Sequence, residues 1–305
     1  MKNILYIILF YSCVFTQETI GENLFLDNLV DYVQDNYTTS NVLGYDSARD
    51  ILYGNIDNQS GTVSCIYTNF SVNNVPVNNP RPTVHGGGLD CEHIWPQSMY
   101  EGSSPMKSDM HHLRPCKSNV NSSRGNNPFN EINDFQTNTW YWLNYTSSNI
   151  PSTNINEYSE TKSANFEPRE DRKGDIARAM FYFYTIYDSV ADEDFFEIQK
   201  EILYQWHIQD EITVDEIERT WAIASYQNNI PNPFILDPSL IERAYFYEGY
   251  ILGDVNEDGT INVLDIVSLI DIILNEEQTN FLGDMNSDGE NNILDVVILA
   301  SIILE

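Results

Sequence analysis

The chain is 305 residues long, 42% hydrophobic and 12% aromatic, which is enough for a large folded core in about two domains and excludes an intrinsically disordered protein. With 46 acidic residues against 15 basic ones the net charge is −31, which excludes a nucleic-acid ligand held by general surface charge. A polyanion has to be captured by a local basic patch.

Met1-Lys2, an apolar run over 4–15 and polar Thr16-Gln17-Glu18 read as a secretory signal over residues 1–17. The protein is then extracellular, either released or attached to the cell surface. The run is too short to anchor in a bilayer, and no other stretch is long and apolar enough to cross one. Periodicity predicts helices over 23–33 and 47–53, a strand over 62–70, and a Pro/Asn/Gly-rich loop over 72–88. Residues 134–145 are aromatic-rich and 151–168 are polar and loop-like. Helices follow over 174–190 and 194–206, then a turn-rich segment over 228–233 and a helix over 238–247.

The densest chemistry lies between residues 85 and 126. Of five histidines (His85, His93, His111, His112 and His207), four fall within 28 residues, beside Asp90, Glu92, Asp109, Asn119 and Asn121. The segment over 90–98 reads as a strand that ends near Pro96, and the segment over 109–115 as a second strand. A helix or turn follows with Asn119, Asn121, Arg124, Gly125 and Asn126. This order places acid and base on the first strand and amides on the helix, a set suited to phosphodiester hydrolysis. A neutral histidine activates water, a hard divalent ion on a carboxylate and an amide oxygen stabilises phosphate charge, and a nearby arginine holds a phosphate oxygen.

The strings DCEHIWPQS, SDMHHLRP, NVNSSRGNNPF, FEPREDRKGDIARAMFY and QNNIPNPFILDP, in order over 90–240, resemble the endonuclease I family of secreted bacterial nucleases, of the ββα-metal superfamily. The resemblance implies His93 as general base and Glu92 and Asn121 as ligands of a catalytic ion, Mg2+ or alternatively Ca2+ or Mn2+. It also implies supporting roles for Arg124, Asn126 and His112. The implied substrate is DNA, and RNA as well, cut with little sequence preference. One departure is Asn229-Ile230-Pro231-Asn232-Pro233-Phe234, where the family often has an arginine. Lys107, Arg114, Lys117 and Arg124 against Asp109 alone make residues 107–124 a basic patch, with Arg114 and Lys117 as substrate contacts. Lys173 and Arg178 either touch DNA or form salt bridges with Glu170 or Asp175. Trp140-Tyr141-Trp142 reads as helix or loop core rather than a base-stacking platform.

Beyond the signal three cysteines remain, an odd count that implies one disulfide and one buried thiol in an oxidising compartment. Cys91 and Cys116 flank the two strands, and in an antiparallel hairpin those ends could meet, leaving Cys65 free. The alternative is that Cys65 pairs with either.

After residue 250 the composition changes: residues 251–305 hold 12 acidic residues and no Lys or Arg. Leu252-Gly253-Asp254-Val255-Asn256-Glu257-Asp258-Gly259 recurs 30 residues later as Leu282-Gly283-Asp284-Met285-Asn286-Ser287-Asp288-Gly289. Each copy sets oxygen donors at alternate positions of a 12-residue calcium loop. The first has Asp254, Asn256, Asp258, the Thr260 carbonyl, Asn262 and Asp265; the second has Asp284, Asn286, Asp288, the Glu290 carbonyl, Asn292 and Asp295. A closing Asp instead of Glu, with a helix only after each loop, resembles type I dockerins, which implies two Ca2+ ions and a cohesin-like protein partner. The apolar residues of the two helices, over 263–274 and 293–304, read as mutual core, and no Pro/Ser linker separates this module from what precedes it.

The expected fold is α+β: a ββα-metal nuclease core with surrounding helices over 18–250, and a small α-helical dockerin-like domain with two calcium loops over 251–305. Two alternatives stand beside it, a nuclease acting mainly on RNA and a non-catalytic, calcium-stabilised attachment protein on a nuclease fold.

Overall fold

The structure is a computed structural model that describes residues 19–22, 24–247, 249, 251–275, 280–286 and 288–304; the expected signal over 1–17 lies outside the described residues. Helix α1 (Leu26–Tyr37) buries Leu29 and Val33, one turn apart, against the core. Helix α2 (Tyr45–Ile51) runs directly into a π-helical turn, Leu52–Ile56. Strands β1 (Asn58–Gln59), β2 (Thr62–Ser64) and β3 (Ser71–Asn73) form a small antiparallel sheet. The strand expected over 62–70 is therefore a hairpin. Its apolar residues fold back because Asn69 adopts φ +56° and the Cys65 carbonyl accepts the Asn69 amide at 3.0 Å.

Helix α3 (Arg81–Gly86) interrupts the expected loop and leads into β4 (Leu89–His93). Strand β5 (Leu113–Lys117) pairs antiparallel with β4, setting Glu92 opposite Arg114 and His93 opposite Leu113. Helix α4 (Ser118–Arg124) packs on both strands and completes a ββα unit. The second strand begins later than expected: residues 110–112 form a tight 3-10 turn because the Asp109 carboxylate accepts the His111 amide.

Residues 139–167, expected as aromatic-rich and loop-like, instead form a four-stranded sheet in the order β7-β6-β8-β9, with β6 Thr139–Trp142, β7 Tyr145–Ser147, β8 Ser159–Lys162 and β9 Asn165–Glu167. Strand β8 has no apolar alternation to read. Its buried Ser159 is satisfied by polar partners, donating to the Tyr67 carbonyl at 2.7 Å and accepting the Arg169 amide at 2.9 Å. Trp140 and Tyr141 are buried in this sheet, so they are core, though on a strand.

Helix α5 (Lys173–Ile186) is the spine, with all but one of its 14 residues buried. Helix α6 (Glu193–Gln209) packs along it. Helix α7 (Val214–Ala224), not expected from periodicity, starts at a Thr213–Glu216 capping box. Short helices α8 (Pro233–Leu236) and α9 (Leu240–Tyr245) close the core.

Helices α10 (Val263–Leu274) and α11 (Ile293–Ile303) share a separate small core of Val255, Leu269, Val296 and Leu299. The expectation that their apolar residues form mutual core is largely overturned: Val263, Leu264, Val267, Leu274, Ile293, Leu294, Val297 and Leu304 are exposed. Two short helices packed as a single pair bury one stripe each, and the remaining apolar residues face outward. The module packs directly on the rest of the chain. Gly259, at φ +85°, lies so close to Leu26 that a Cβ there would stand 2.6 Å from its Cδ1, and the Phe25 and Tyr247 rings are 4.0 Å apart beside it. No helix among the described residues is long and apolar enough to cross a membrane.

Candidate active site and calcium loops

Alternation along β4 sends Cys91 and His93 to one face of the ribbon and Glu92 to the other, and the strand ends at His93. His93 Nε2 lies 3.1 Å from the Lys107 carbonyl oxygen. A carbonyl can only accept, so Nε2 carries the proton and Nδ1 keeps its lone pair. Burial pushes the imidazole pKa down to about 3, assisted by His112, Lys107 and Arg49, so His93 is neutral at ordinary pH. Its ring packs among Tyr45, Tyr100 and His112, at centroid distances of 5.5, 6.4 and 5.6 Å.

On the other face Glu92 is 2% exposed and accepts the Tyr67 hydroxyl at 2.8 Å. Burial raises its pKa to about 7 against the opposing pull of Arg124 and Tyr67. Arg124 Nε stands 3.6 Å from the carboxylate, while its Nη atoms bind the carbonyls of Ile94 and Gly125 at 2.7 and 3.2 Å. The guanidinium also lies over Phe129. Arg124 thus ties α4 to the end of β4. Asn121, on the same helix, donates Nδ2 to the Cys91 carbonyl at 3.3 Å, which leaves Oδ1 as its acceptor.

Among the described residues, no three His, Cys, Asp or Glu side chains form a group arranged to hold a metal ion. The Glu92–Asn121 pair is nevertheless chemically suited to one. It offers a carboxylate and an amide oxygen, both hard donors, and the buried carboxylate is only partly compensated by a guanidinium at 3.6 Å. An octahedral Mg2+ ion keeps several waters and needs no more than such a pair.

His112 is fully buried: Nε2 is 2.6 Å from the Met106 carbonyl, and its ring supports that of His93. Asn126 is exposed and accepts the Ser98 hydroxyl at 2.8 Å. Three of the four cations expected to meet substrate are withdrawn from solvent. Arg114 is buried 3.7 Å from Asp175. Lys173 is surrounded by Glu131, Glu167 and Glu170 at 2.7, 2.8 and 2.9 Å. Arg178 binds Glu216 through two nitrogens, at 2.8 and 2.9 Å. Buried carboxylates require buried partners, and these cations supply them. Only Lys117 of the four is partly exposed, donating to Asn144 Oδ1 at 2.7 Å. His85, His111 and His207 contact the backbone carbonyls of Leu89, Ile230 and Pro238. Tyr45, Arg49, Tyr67 and Tyr100 escaped sequence reasoning, since nothing local marks a residue that reaches the site only by folding.

The register corrects the cysteine pairing. Cys91 lies opposite Pro115 and Cys116 opposite Asp90, so the two thiols point to opposite faces and cannot meet. Cys116 Sγ lies instead 4.0 Å from Cys65 Sγ. Burial opposes a Cys65 thiolate, but donors from Cys116, Thr68 and the Lys117 and Tyr67 amides outweigh it and hold the pKa near 6. All three thiols are free in this structure. On exposure to an oxidising disulfide, non-reducing peptide mapping should give a Cys65–Cys116 linked peptide, with Cys91 alkylated as a free thiol. Any linked peptide containing Cys91 contradicts this.

The two loops of the C-terminal module repeat one bonding pattern. Asp254 Oδ2 accepts the Gly259 amide at 2.8 Å, as Asp284 Oδ2 accepts that of Gly289. Asn256 and Asn286 accept the amides of Asp258 and Asp288, and Asp258 and Asp288 those of Thr260 and Glu290. Asp265 and Asp295 close each loop on the amides of Asn262 and Asn292. Asp265 and Asp295 are completely buried in a segment that contains no Lys or Arg. Buried carboxylates without a basic neighbour fit a site built for a cation. Burial raises the Asp254 pKa from its ordinary value, and the neighbouring Asp265 and Asp258 add to it.

With this geometry in place, comparison of the sequence with family models decides its lineage: a model described as Endonuclease I matches residues 24–239. The chain belongs to the endonuclease I family. That match spans α1 to the residue before α9 and contains the whole ββα unit. A second model, the dockerin type I domain, matches residues 252–304. Two relatives are an extracellular ribonuclease of Bacillus subtilis (strain 168), 31% identical over 177 residues, and one of Bacillus amyloliquefaciens, 29% identical over 175. Each alignment covers 52% of this chain and 54% of the relative, so the chain spans about half the length of the curated relatives it matches.

Proposed function

We propose that this endonuclease I family member is a secreted, metal-dependent endonuclease that hydrolyses phosphodiester bonds of DNA, and of RNA as well, with little sequence preference. Its nuclease domain is residues 18–250, following a signal over 1–17. The observation that carries the reading is the 3.1 Å contact of His93 Nε2 with the Lys107 carbonyl oxygen, from which its tautomer follows. With Nε2–H committed to the Lys107 carbonyl, Nδ1 is a neutral base with an open lone pair at the end of the strand that carries Glu92. His93 takes the proton of the attacking water. Tyr45, Tyr100 and His112 hold the imidazole in place, and Arg124 fixes the strand end against α4. Glu92 and Asn121 would hold the divalent ion, which when bound stabilises negative charge on the phosphate and the departing oxygen. The ribonuclease names of both relatives favour RNA among the substrates. Against a non-catalytic attachment protein stands the presence of Glu92, His93 and Asn121 together in one ββα unit.

The test is digestion of supercoiled plasmid and of RNA, with and without chelator and added Mg2+. Cleavage that chelator abolishes supports the reading. No cleavage with Mg2+, Mn2+ or Ca2+ overturns it. Glu92→Ala and Asn121→Ala should each raise the Mg2+ concentration for half-maximal rate by about tenfold or more, as loss of metal-supporting groups does elsewhere.

The dockerin-like module, residues 251–305, would bind two Ca2+ and dock a cohesin-like protein, attaching the enzyme to a larger assembly or the cell surface. Saturating Ca2+ should stabilise the module in the full chain by about 2–3 kcal/mol per site at a hundredfold excess over Kd, read as a higher midpoint of its unfolding transition. Asp254→Ala or Asp284→Ala should cut that gain. A calcium-independent thermogram would remove the calcium assignment.

A further inference from the structure

With Arg114, Lys173, Arg178 and Arg124 all committed to internal partners, a chain of net charge −31 still needs a positive centre where a phosphodiester meets His93. The face of the ribbon that carries His93 is bordered by the start of α2. Its first residue, Tyr45, is partly exposed and sets its ring 5.5 Å from the imidazole. One turn along the helix, Arg49 lays its guanidinium 4.1 Å from the centroid of the Tyr45 ring. Lys107 brings its ammonium to 5.1 Å from the same centroid, from the segment whose backbone carbonyl holds His93. Two cations thus converge on one aromatic ring beside the base, and both lower the basicity of His93 through space.

Their partners leave capacity for an anion. Among the described residues, no carboxylate forms an ion pair with Lys107, which remains partly exposed. Arg49 pairs with Asp46, a carboxylate 67% exposed and shared with Arg81 at 2.8 Å. Its Nε is buried without a hydrogen-bond partner, and Nη1 faces His85 Nε2 at 3.5 Å. A guanidinium held over a tyrosine, whose carboxylate partner is exposed and shared with a second arginine, keeps a planar fork whose Nη edge can turn to phosphate oxygens.

We propose that Arg49 and Lys107 form a phosphate clamp on the Tyr45 ring, gripping the non-bridging oxygens of a substrate phosphodiester beside His93. This rests on the nuclease reading above and names residues for the role expected of Arg114, and of Lys173 and Arg178 had they not formed salt bridges. Arg49 binds through its planar fork and Lys107 as a point charge, and Tyr45 orients both.

The test uses the full chain and two separate readouts. The first is cleavage of plasmid DNA by Arg49→Gln, Arg49→Lys and Lys107→Gln, with Lys200→Gln as a control of equal charge loss; Lys200 lies on α6, paired with Glu197. The second is DNA binding in a His93→Ala background, followed by fluorescence anisotropy across a salt series, which reports on the clamp even where no strand is cut. Lys107→Gln keeps the backbone carbonyl that holds His93. Arg49→Gln and Lys107→Gln should each lower kcat/KM by about tenfold or more and flatten the slope of log K against log salt by about one. Arg49→Lys should restore the slope but only part of the rate, because the fork is lost. Circular dichroism checks the fold, and if Arg49→Gln misfolds, Lys107→Gln alone decides. Folded variants whose kcat/KM and salt slope match those of Lys200→Gln overturn the clamp. A wild-type chain that cuts nothing overturns the nuclease reading separately.

Discussion

Replacing His93 by Ala should lower kcat by about 10²–10⁴-fold, the usual contribution of a positioned general base. The metal concentration needed and the affinity for DNA should stay close to those of the wild type. The separation follows from the ribbon. His93 points to the α2 face, and its Nε2 is committed to the Lys107 carbonyl, whereas Glu92 points to the opposite face toward Tyr67 and Arg124. Removing the imidazole takes away a base but no metal ligand. Single-turnover cleavage at saturating Mg2+, with DNA binding measured in parallel, distinguishes the outcomes. A His93→Ala protein cutting within tenfold of wild type would show that another group activates the water. A loss mirrored by a higher Mg2+ requirement would mean His93 acts as a ligand.

Asp109→Ala should be the most destabilising single change near the site, costing about 3–5 kcal/mol in urea unfolding. Asp109 is completely buried, and both its oxygens are fully used. Oδ1 accepts Gln227 Nε2 at 2.9 Å and the His111 amide at 3.0 Å, and Oδ2 accepts the hydroxyls of Tyr182 and Tyr187 at 2.8 and 2.7 Å. Truncation leaves four donors buried and unpaired. It also releases the turn over 110–112 that starts β5 and carries His112 behind His93. Burial pushes the Asp109 pKa up, but the His111 and His112 charges and the Gln227 and His111 donors outweigh it, so it lies below the ordinary value. A depressed carboxyl stabilises the fold above the unfolded pKa of about 4, and that stabilisation is lost as pH falls through the lower folded value. Wild type should therefore lose stability in acid more steeply than Asp109→Asn. An Asp109→Ala cost below about 1 kcal/mol would mean that water or a neighbour satisfies the donors.

The contrast between Glu92 and Asp109 shows where sequence reading ends. Both are acids beside histidines in the same short stretch, and both looked like candidates for chemistry. The ββα order, the loop–helix repeat and the place of His93 on the first strand were legible, because each depends on local spacing: alternation in β4, Gly at a left-handed turn, donors at every second loop position. That strand, however, ends at His93 and not near Pro96. The segmental strings over 90–240 carried family membership for the same reason, since a family match is a match of sequence.

The fate of individual side chains was not local. Whether a cation faces solvent or a buried carboxylate depends on residues far along the chain: Lys173 meets Glu131, and Arg178 meets Glu216. The strands over 139–167 could not be read because Ser159 and Glu160 are buried by hydrogen bonding rather than by apolar alternation. The pairing of thiols turned on register, where a shift of one residue sends a side chain to the opposite face and moves Cys116 from Cys91 to Cys65. The sequence by itself determined the kind of site and the elements that carry it, because covalent spacing sets both. The tertiary structure decided which charges are free, which histidine keeps an open lone pair and which residues stand around it, because burial and hydrogen-bond partners are assigned only when distant segments pack.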